Sequence, residues 1–262
     1  MAVDEILAFE SPYIRRNRRA GARCRLLCFP HIGAGASDFN HWSALLPPEV
    51  EVVGMQLPGR QDRIKDKPFT EIGPLVRTLT HVVRPLLDLP IALFGHSGGA
   101  LLAFELACTL AQRQEADIIG VFPSGQGAPH LPLPAPIHNL PAVAFRQELA
   151  RLGGIAGQVA SDARLMAYLE PTLRADFRLW ESYRYRPRPP LDAAVIACGG
   201  ADDDRTPVAA LKAWNQHTTG SFALQVFPGG HFFHNDHVAE LVGMIGEHLL
   251  STDRIRQEEL RR

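Results

Sequence analysis

Along this chain, short apolar runs alternate with longer stretches in which apolar side chains recur every three or four positions. The short runs predict strands at Arg25–Pro30, Val50–Leu57, Ile91–Phe94, Ile118–Pro123, Ala193–Cys198 and Ala223–Phe227. The periodic stretches predict helices around Phe39–Leu46, Ile72–Leu87, Ala100–Gln112, Pro207–Gln216 and His237–Leu250. Strands and helices in alternation imply an α/β fold, a mostly parallel sheet covered by helices on both faces. There is no internal repeat.

The alternation breaks once, from Gly125 to Pro190, where no strand is predicted. The break opens with Pro129, Pro132, Pro134, Pro136 and Pro141, residues that lack the N–H needed to pair in a central sheet. Two amphipathic helical segments follow, near Ala142–Leu152 and Ser161–Tyr185, separated by Gly153-Gly154. Pro187, Pro189 and Pro190 close the break. A segment this long far exceeds an ordinary crossover. The expected organisation is a core of residues 1–124 and 191–262 with a helical lid inserted at 125–190, since long insertions above a site commonly close over it.

With 262 residues, 46% of them hydrophobic, the chain can bury one large core. Its 27 lysines and arginines nearly balance 28 aspartates and glutamates, which leaves neither a basic footprint for nucleic acid nor an acidic tail. Arg15, Arg16, Arg18, Arg19, Arg23 and Arg25 form the only dense basic run, which reads as a solvated segment feeding the first strand. Cys24, Cys28, Cys108 and Cys198 show no metal-ligand pairing and read as small buried thiols of a reducing compartment. Asp4 and Glu5 are foreign to a secretory leader, and no apolar run approaches the length of a membrane span. A soluble, cytoplasmic, monomeric protein with no nucleic-acid or membrane partner is expected.

The chemistry centres on Gly95-His96-Ser97-Gly98-Gly99, a G-x-S-x-G run between a predicted strand and a predicted helix. Strand, sharp turn and helix make this a nucleophile elbow, in which glycines flank the serine because the turn is strained and the neighbouring backbones pass closely. A serine hydroxyl needs a base to take its proton, and that base needs a carboxylate to hold its tautomer. Of the eleven histidines, His96 is the x of the elbow and should point away from Ser97. His41, His81, His217 and His248 sit in helical stretches. His231 follows a strand and the turn Pro228-Gly229-Gly230, at the carboxyl edge of the sheet where ligands bind in open α/β folds, and it is the candidate base. His234 and His237 repeat at three-residue spacing, but without a Cys or Glu frame they are weak evidence for zinc.

The loop Gly199–Pro207 offers Asp202, Asp203 and Asp204 as the orienting acid, and Asp204 or Thr206 could instead cap the following helix. An oxyanion hole needs two backbone N–H groups. The residue after the nucleophile, Gly98, supplies one, and the Gly-rich turn Phe29–Gly35 supplies the other. That turn lacks the Lys-Ser/Thr pair of a phosphate loop. No metal or cofactor is expected.

These motifs together resemble the type II thioesterases of polyketide and nonribosomal peptide synthesis, within the α/β-hydrolase superfamily. The resemblance spans nearly the whole chain. It is carried by Cys28-Phe29-Pro30-His31, Gln56–Arg63, Gly95–Ala100, Leu152-Gly153-Gly154, Leu173–Phe177, Trp214, Thr218-Thr219-Gly220 and Phe227–Phe233. It implies an α/β-hydrolase fold and the roles of nucleophile for Ser97, base for His231, and oxyanion donors for Ile32 and Gly98. The family's acid lies eleven residues before the tryptophan matched by Trp214, which selects Asp203. It further implies hydrolysis of short or aberrant acyl groups from the phosphopantetheine arms of carrier-protein domains. Carrier domains are commonly acidic, so the arginine run gains a second reading as a docking patch. Two departures alter the pocket wall: the family's usual Met after the serine is Gly98, and its usual Ala at the other oxyanion position is Ile32. A small-ester esterase of the same fold and a non-catalytic binding module are the competing classes.

Overall fold

The computed structural model describes residues 11–154 and 162–260, with side chains as far as Thr252. Strands β1 (Ile14–Arg16), β2 (Cys24–Phe29), β3 (Val50–Met55), β4 (Ile91–His96), β5 (Ile118–Ser124), β6 (Val195–Gly200) and β7 (Phe222–Phe227) form one sheet in the order β1-β3-β2-β4-β5-β6-β7. β1 runs antiparallel to β3, and every other neighbouring pair is parallel. The helices are α1 (Trp42–Leu45), α2 (Ile72–Val83), α3 (Gly98–Gln112), α4 (Ala142–Leu152), α5 (Ala163–Glu181), α6 (Val208–Lys212), α7 (Phe233–Asp236) and α8 (Val238–Leu260).

Alternate residues of each central strand feed opposite faces, and both faces are covered, so these strands read as unbroken apolar runs. Leu27, Phe29, Val53 and Leu93 pack on one side against Leu75 and Leu79 of α2 and Leu101 and Phe104 of α3. Leu26, Cys28, Val52 and Phe94 pack on the other against Trp42 of α1 and Leu241, Ile245 and Leu249 of α8. All four cysteines are buried and none forms a disulfide. Helix α2 stops at Val83, before the expected Leu87, and a 3₁₀ turn at Arg84–Leu86 follows because Pro85 removes a backbone donor. The predicted helices at Phe39–Leu46 and Pro207–Gln216 likewise divide into a short α-helix and a 3₁₀ turn.

The arginine-rich segment differs from the solvated reading. Ile14–Arg16 is the antiparallel edge strand, and its brevity and two charges hid it from a hydrophobic pattern. Arg15, Arg16, Arg19 and Arg25 are engaged within the molecule, while Arg18 and Arg23 are exposed. Arg15 pairs with Asp62, and Arg16 with Glu51 at 3.0 Å. Arg19 donates to the carbonyls of Pro47 and Val50, and buried Arg25 binds Glu51 at 2.8 Å and also Asp88.

Between β5 and β6 the described residues contain α4 and α5 and no strand. Ser161, expected to begin the second helix, lies outside the described residues; Asp162 caps that helix by accepting from the N–H groups of Arg164 and Leu165. The proline-rich stretch before α4 is strapped to α5. Glu181 accepts the N–H of Ile137 at 2.6 Å, and Arg174 donates to the carbonyls of His138 and Leu140. The turns that leave the carboxyl ends of β2, β4, β6 and β7 carry Ile32, Ser97, Asp203 and His231.

Candidate active site

Ser97 sits between β4 and α3 with φ 52° and ψ −125°, a strained conformation for a residue bearing a Cβ. Its N–H is tied to the Ser124 carbonyl at 2.7 Å, and its carbonyl accepts from Ala100 at 2.9 Å. The turn can be this tight because a Cβ on Gly99 would lie 2.4 Å from the Phe29 carbonyl oxygen, so only glycine lets α3 start against β2. Gly98 is the first residue of α3, where an N–H has no intrahelical acceptor.

Asp203 and His231 meet across two adjacent loops. A Cβ on Gly200 would fall 2.2 Å from the Gly230 carbonyl oxygen, so the glycine permits the approach, and Asp202 N–H donates to the Gly229 carbonyl at 2.9 Å. His231 Nδ1 lies 2.8 Å from Asp203 Oδ2, with the carboxylate side chain fully buried. Asp203 Oδ1 accepts the backbone N–H groups of Arg205 and Thr206 at 3.0 and 3.3 Å. Burial alone would raise the pKa of this carboxyl, but the His231 hydrogen bond and charge and the two N–H donors outweigh burial and hold it below the usual range. Asp202 and Asp204 are exposed. Of the three aspartates, Asp203 contacts the histidine, and the bonds to Arg205 and Thr206 also make it the local loop cap.

Ser97 and His231 line two cavities in common. One is narrow, about 30 Å³, walled by Ile32, Leu149, Leu173, Phe177 and Phe232. The other, about 380 Å³, is walled by Gln126, Leu131, Leu133, Trp180 and Arg205. Residues of the 125–190 segment therefore help to wall both cavities that Ser97 lines. No Ser97–His231 hydrogen bond is formed; His231 Nε2 is buried without a partner among the described residues. Such catalytic bonds are often long until substrate arrives.

Sequence reasoning missed the aromatic cage around His231. The ring of His96 lies 5.1 Å from that of His231 and 3.9 Å from that of His234, and Phe232 packs edge-on to His231. His96 itself, expected only to point away, bonds Ser124 Oγ through Nδ1 at 2.9 Å and forms a wall behind the base. Burial, reinforced by the neighbouring imidazoles, lowers the pKa of His31 to about 4 and of His234 to about 3, and takes His96 well below its usual range. The cage is therefore neutral near pH 7 and places no positive charge beside an imidazolium at His231. His237 faces Glu240 at 3.5 Å instead of joining His231 and His234. Among the described residues no group of three or more His, Cys, Asp or Glu could hold a metal, and no helix is long and apolar enough to cross a membrane.

The two departures at the oxyanion positions are adjacent in space. A Cβ on Gly98 would lie 3.2 Å from Ile32 Cγ1 and 3.5 Å from Trp180 Cδ1, so the larger Ile32 occupies room that the smaller Gly98 leaves. Trp214 is fully buried and donates through Nε1 to the Gln126 carbonyl at 2.7 Å, which holds the wall of the wider cavity.

Residues 24–249 match the thioesterase-domain family. The chain is 39% identical over 222 residues to the gramicidin S biosynthesis protein GrsT of Aneurinibacillus migulanus, covering 84% of this chain and 87% of that protein. It is 37% identical over 242 residues to thioesterase PikA5 of Streptomyces venezuelae, covering 92% and 86%. The solved structure of BorB, a type II thioesterase from the borrelidin biosynthetic cluster, superposes with TM-score 0.83 at 38% identity, covering 90% of this chain and 97% of that one.

Proposed function

The chain belongs to the thioesterase family, and from that premise we propose that it hydrolyses short or aberrant acyl groups from the phosphopantetheine arms of carrier-protein domains in polyketide or nonribosomal peptide synthases. The observation that carries the reading is the His231–Asp203 pair, whose histidine lines the same two cavities as a strained serine. Ser97 Oγ attacks the thioester carbonyl carbon and passes its proton to His231 Nε2. Asp203 holds the Nδ1–H and stabilises the imidazolium. The oxyanion accepts the N–H groups of Gly98 and Ile32. The tetrahedral intermediate then collapses: the C–S bond breaks, the pantetheine sulfur leaves with the proton from His231, and an acyl-Ser97 ester remains. Water, deprotonated by His231, repeats the sequence and frees the carboxylic acid.

On this reading the 125–190 insertion is a lid whose residues wall the acyl group, and the enzyme works as a cytoplasmic monomer without metal or cofactor. Carrier contact positions the thioester, which a small thiol cannot do. The internal pairings of Arg15, Arg16, Arg19 and Arg25 weigh against an arginine docking patch and move docking toward the insertion. The test compares kcat/KM for propionyl on a carrier protein, on pantetheine and as a simple oxygen ester. A carrier preference supports the reading. Equal values for carrier and pantetheine remove carrier recognition, and preference for the oxygen ester makes the protein an esterase.

A further inference from the structure

Two motifs, Gln56–Arg63 and Leu173–Phe177, supply no nucleophile, base or oxyanion donor to the reaction. In the folded chain they meet. Arg60 and Asp176 form a bidentate ion pair, Nη1 to Oδ2 at 2.8 Å and Nη2 to Oδ1 at 2.7 Å, with side chains only 5% and 9% exposed. The pair brackets the turn that carries Ile32. Asp176 Oδ2 also accepts the Gly33 N–H at 2.9 Å, and Arg60 Nη1 also donates to the Ala34 carbonyl at 3.1 Å.

That turn is a hydrogen-bonded β-turn from His31 to Ala34, closed by Ala34 N–H to the His31 carbonyl at 3.1 Å. Gly33 has φ +82° at its third position while Ile32 does not have positive φ, which defines a type II turn. In such a turn the N–H of the second residue takes no part in the closing bond, so the Ile32 N–H stays available. The N–H of the third residue must find a partner outside the turn. Asp176 supplies that partner. A Cβ at Gly33 would lie 2.6 Å from Leu173 Cδ2, so α5 seats against the turn through a packed contact and, one helical turn on, through the carboxylate. Thr172 Oγ1 adds a bond to the Gly59 carbonyl at 2.6 Å.

We propose that Arg60 and Asp176 are positioning residues for the Ile32 oxyanion donor, through which helix α5 of the insertion holds the turn, so that the oxyanion hole is complete only while α5 is seated. This rests on the reading of Ile32 N–H as a donor. A bidentate Arg–carboxylate pair fixes geometry as well as charge, which a Lys replacement cannot reproduce. The consequence is a coupling between the lid and the chemistry: when α5 lifts, the Gly33 amide loses its acceptor and the turn is free to reorient.

The test uses the full chain with Arg60→Lys and with the double variant Arg60→Met/Asp176→Leu, which removes the pair without stranding a buried charge. Active sites are titrated with a fluorophosphonate, so that rates refer to folded enzyme. Loss of one oxyanion donor costs roughly a hundred- to a thousandfold in kcat, and a misplaced donor should cost part of that, about ten- to a hundredfold, with KM little changed. The Ki of a trifluoromethyl ketone, whose adduct places an oxyanion in the hole, should rise in parallel, while the Kd of a non-hydrolysable amide analogue stays constant. A lower Tm with kcat per titrated site within twofold of wild type would make the pair merely structural and overturn the proposal. If the double variant fails to fold, Arg60→Lys decides alone by the same ratio of kcat and Ki. Wild-type enzyme that turned over no thioester would instead overturn the functional reading on which the proposal rests.

Discussion

Replacing Asp203 with asparagine separates its two jobs. The Oδ1 bonds to the Arg205 and Thr206 amides survive, because the asparagine oxygen can take that position. The other oxygen, which faces His231 Nδ1 at 2.8 Å, becomes an NH₂ group. Two donors cannot face each other, so His231 must present Nδ1 as acceptor and carry its proton on Nε2. In that tautomer the lone pair needed by Ser97 is gone. Loss of the correct tautomer in a serine-protease triad lowers kcat by about 10⁴, and a similar loss here corresponds to roughly 5 kcal/mol of barrier. The fold should lose far less. One charge-assisted bond disappears, roughly 1.5–3 kcal/mol, which lowers Tm by several degrees without unfolding the protein at 25 °C. The assay is single-turnover hydrolysis of a propionyl thioester, with thermal unfolding in parallel. Exposed Asp202 and Asp204 provide the comparison, and their asparagine variants should stay within about twofold of wild type. Retention of a tenth of kcat in Asp203→Asn, or equal damage from Asp202→Asn, would refute the assignment.

Ser97→Ala should lose roughly 10⁴–10⁶ in rate and abolish the acyl-enzyme seen by intact mass; a tenth of the activity remaining would exclude Ser97 as nucleophile. Gly98→Met should crowd Ile32, and Ile32→Ala should relieve it, giving a coupling of about 1 kcal/mol or more in a double-mutant cycle; additive effects would mean the two positions do not share space. Burial lowers His31 and His217 to about 4 and His234 to about 3, so between pH 6.5 and those values the unfolded chain binds protons the folded one refuses. Stability should be full above pH 6.5 and fall on acidification, by up to about 4 kcal/mol per pH unit near pH 5 for the three together; a Tm unchanged from pH 7 to 5 would contradict this. Helix α4 buries only Phe145 and Leu149, whereas every residue of β4 is buried, so hydrogen exchange should be faster in α4; uniform protection would count against a lid.

The sequence by itself determined whatever depends on neighbours in the chain. Apolar runs marked the central strands because a strand buried on both faces has no polar face to interrupt it. Gly95–Gly99 marked the elbow because a strained turn writes its steric needs into adjacent residues. The loop positions of the three candidate aspartates and of His231 followed from strand ends, and the choice of Asp203 from the family resemblance through Trp214.

Tertiary structure decided what depends on residues distant in the chain. Ile14–Arg16 becomes a strand only because β3 offers an unpaired edge and Glu51 and Asp62 neutralise its arginines. Local pattern could not show that Ile32 fills the space beside Gly98, since one lies in the turn after β2 and the other at the start of α3 after β4, and pairing of the two strands brings them together. Arg60 and Asp176 stand 116 residues apart, and neither carries a local sign of its partner. The imidazoles of His31, His96 and His234 differ from exposed histidines only in their burial, which a sequence leaves unspecified. A side chain's propensity is set by its own backbone, but its charge state and orientation are set by what the fold packs against it.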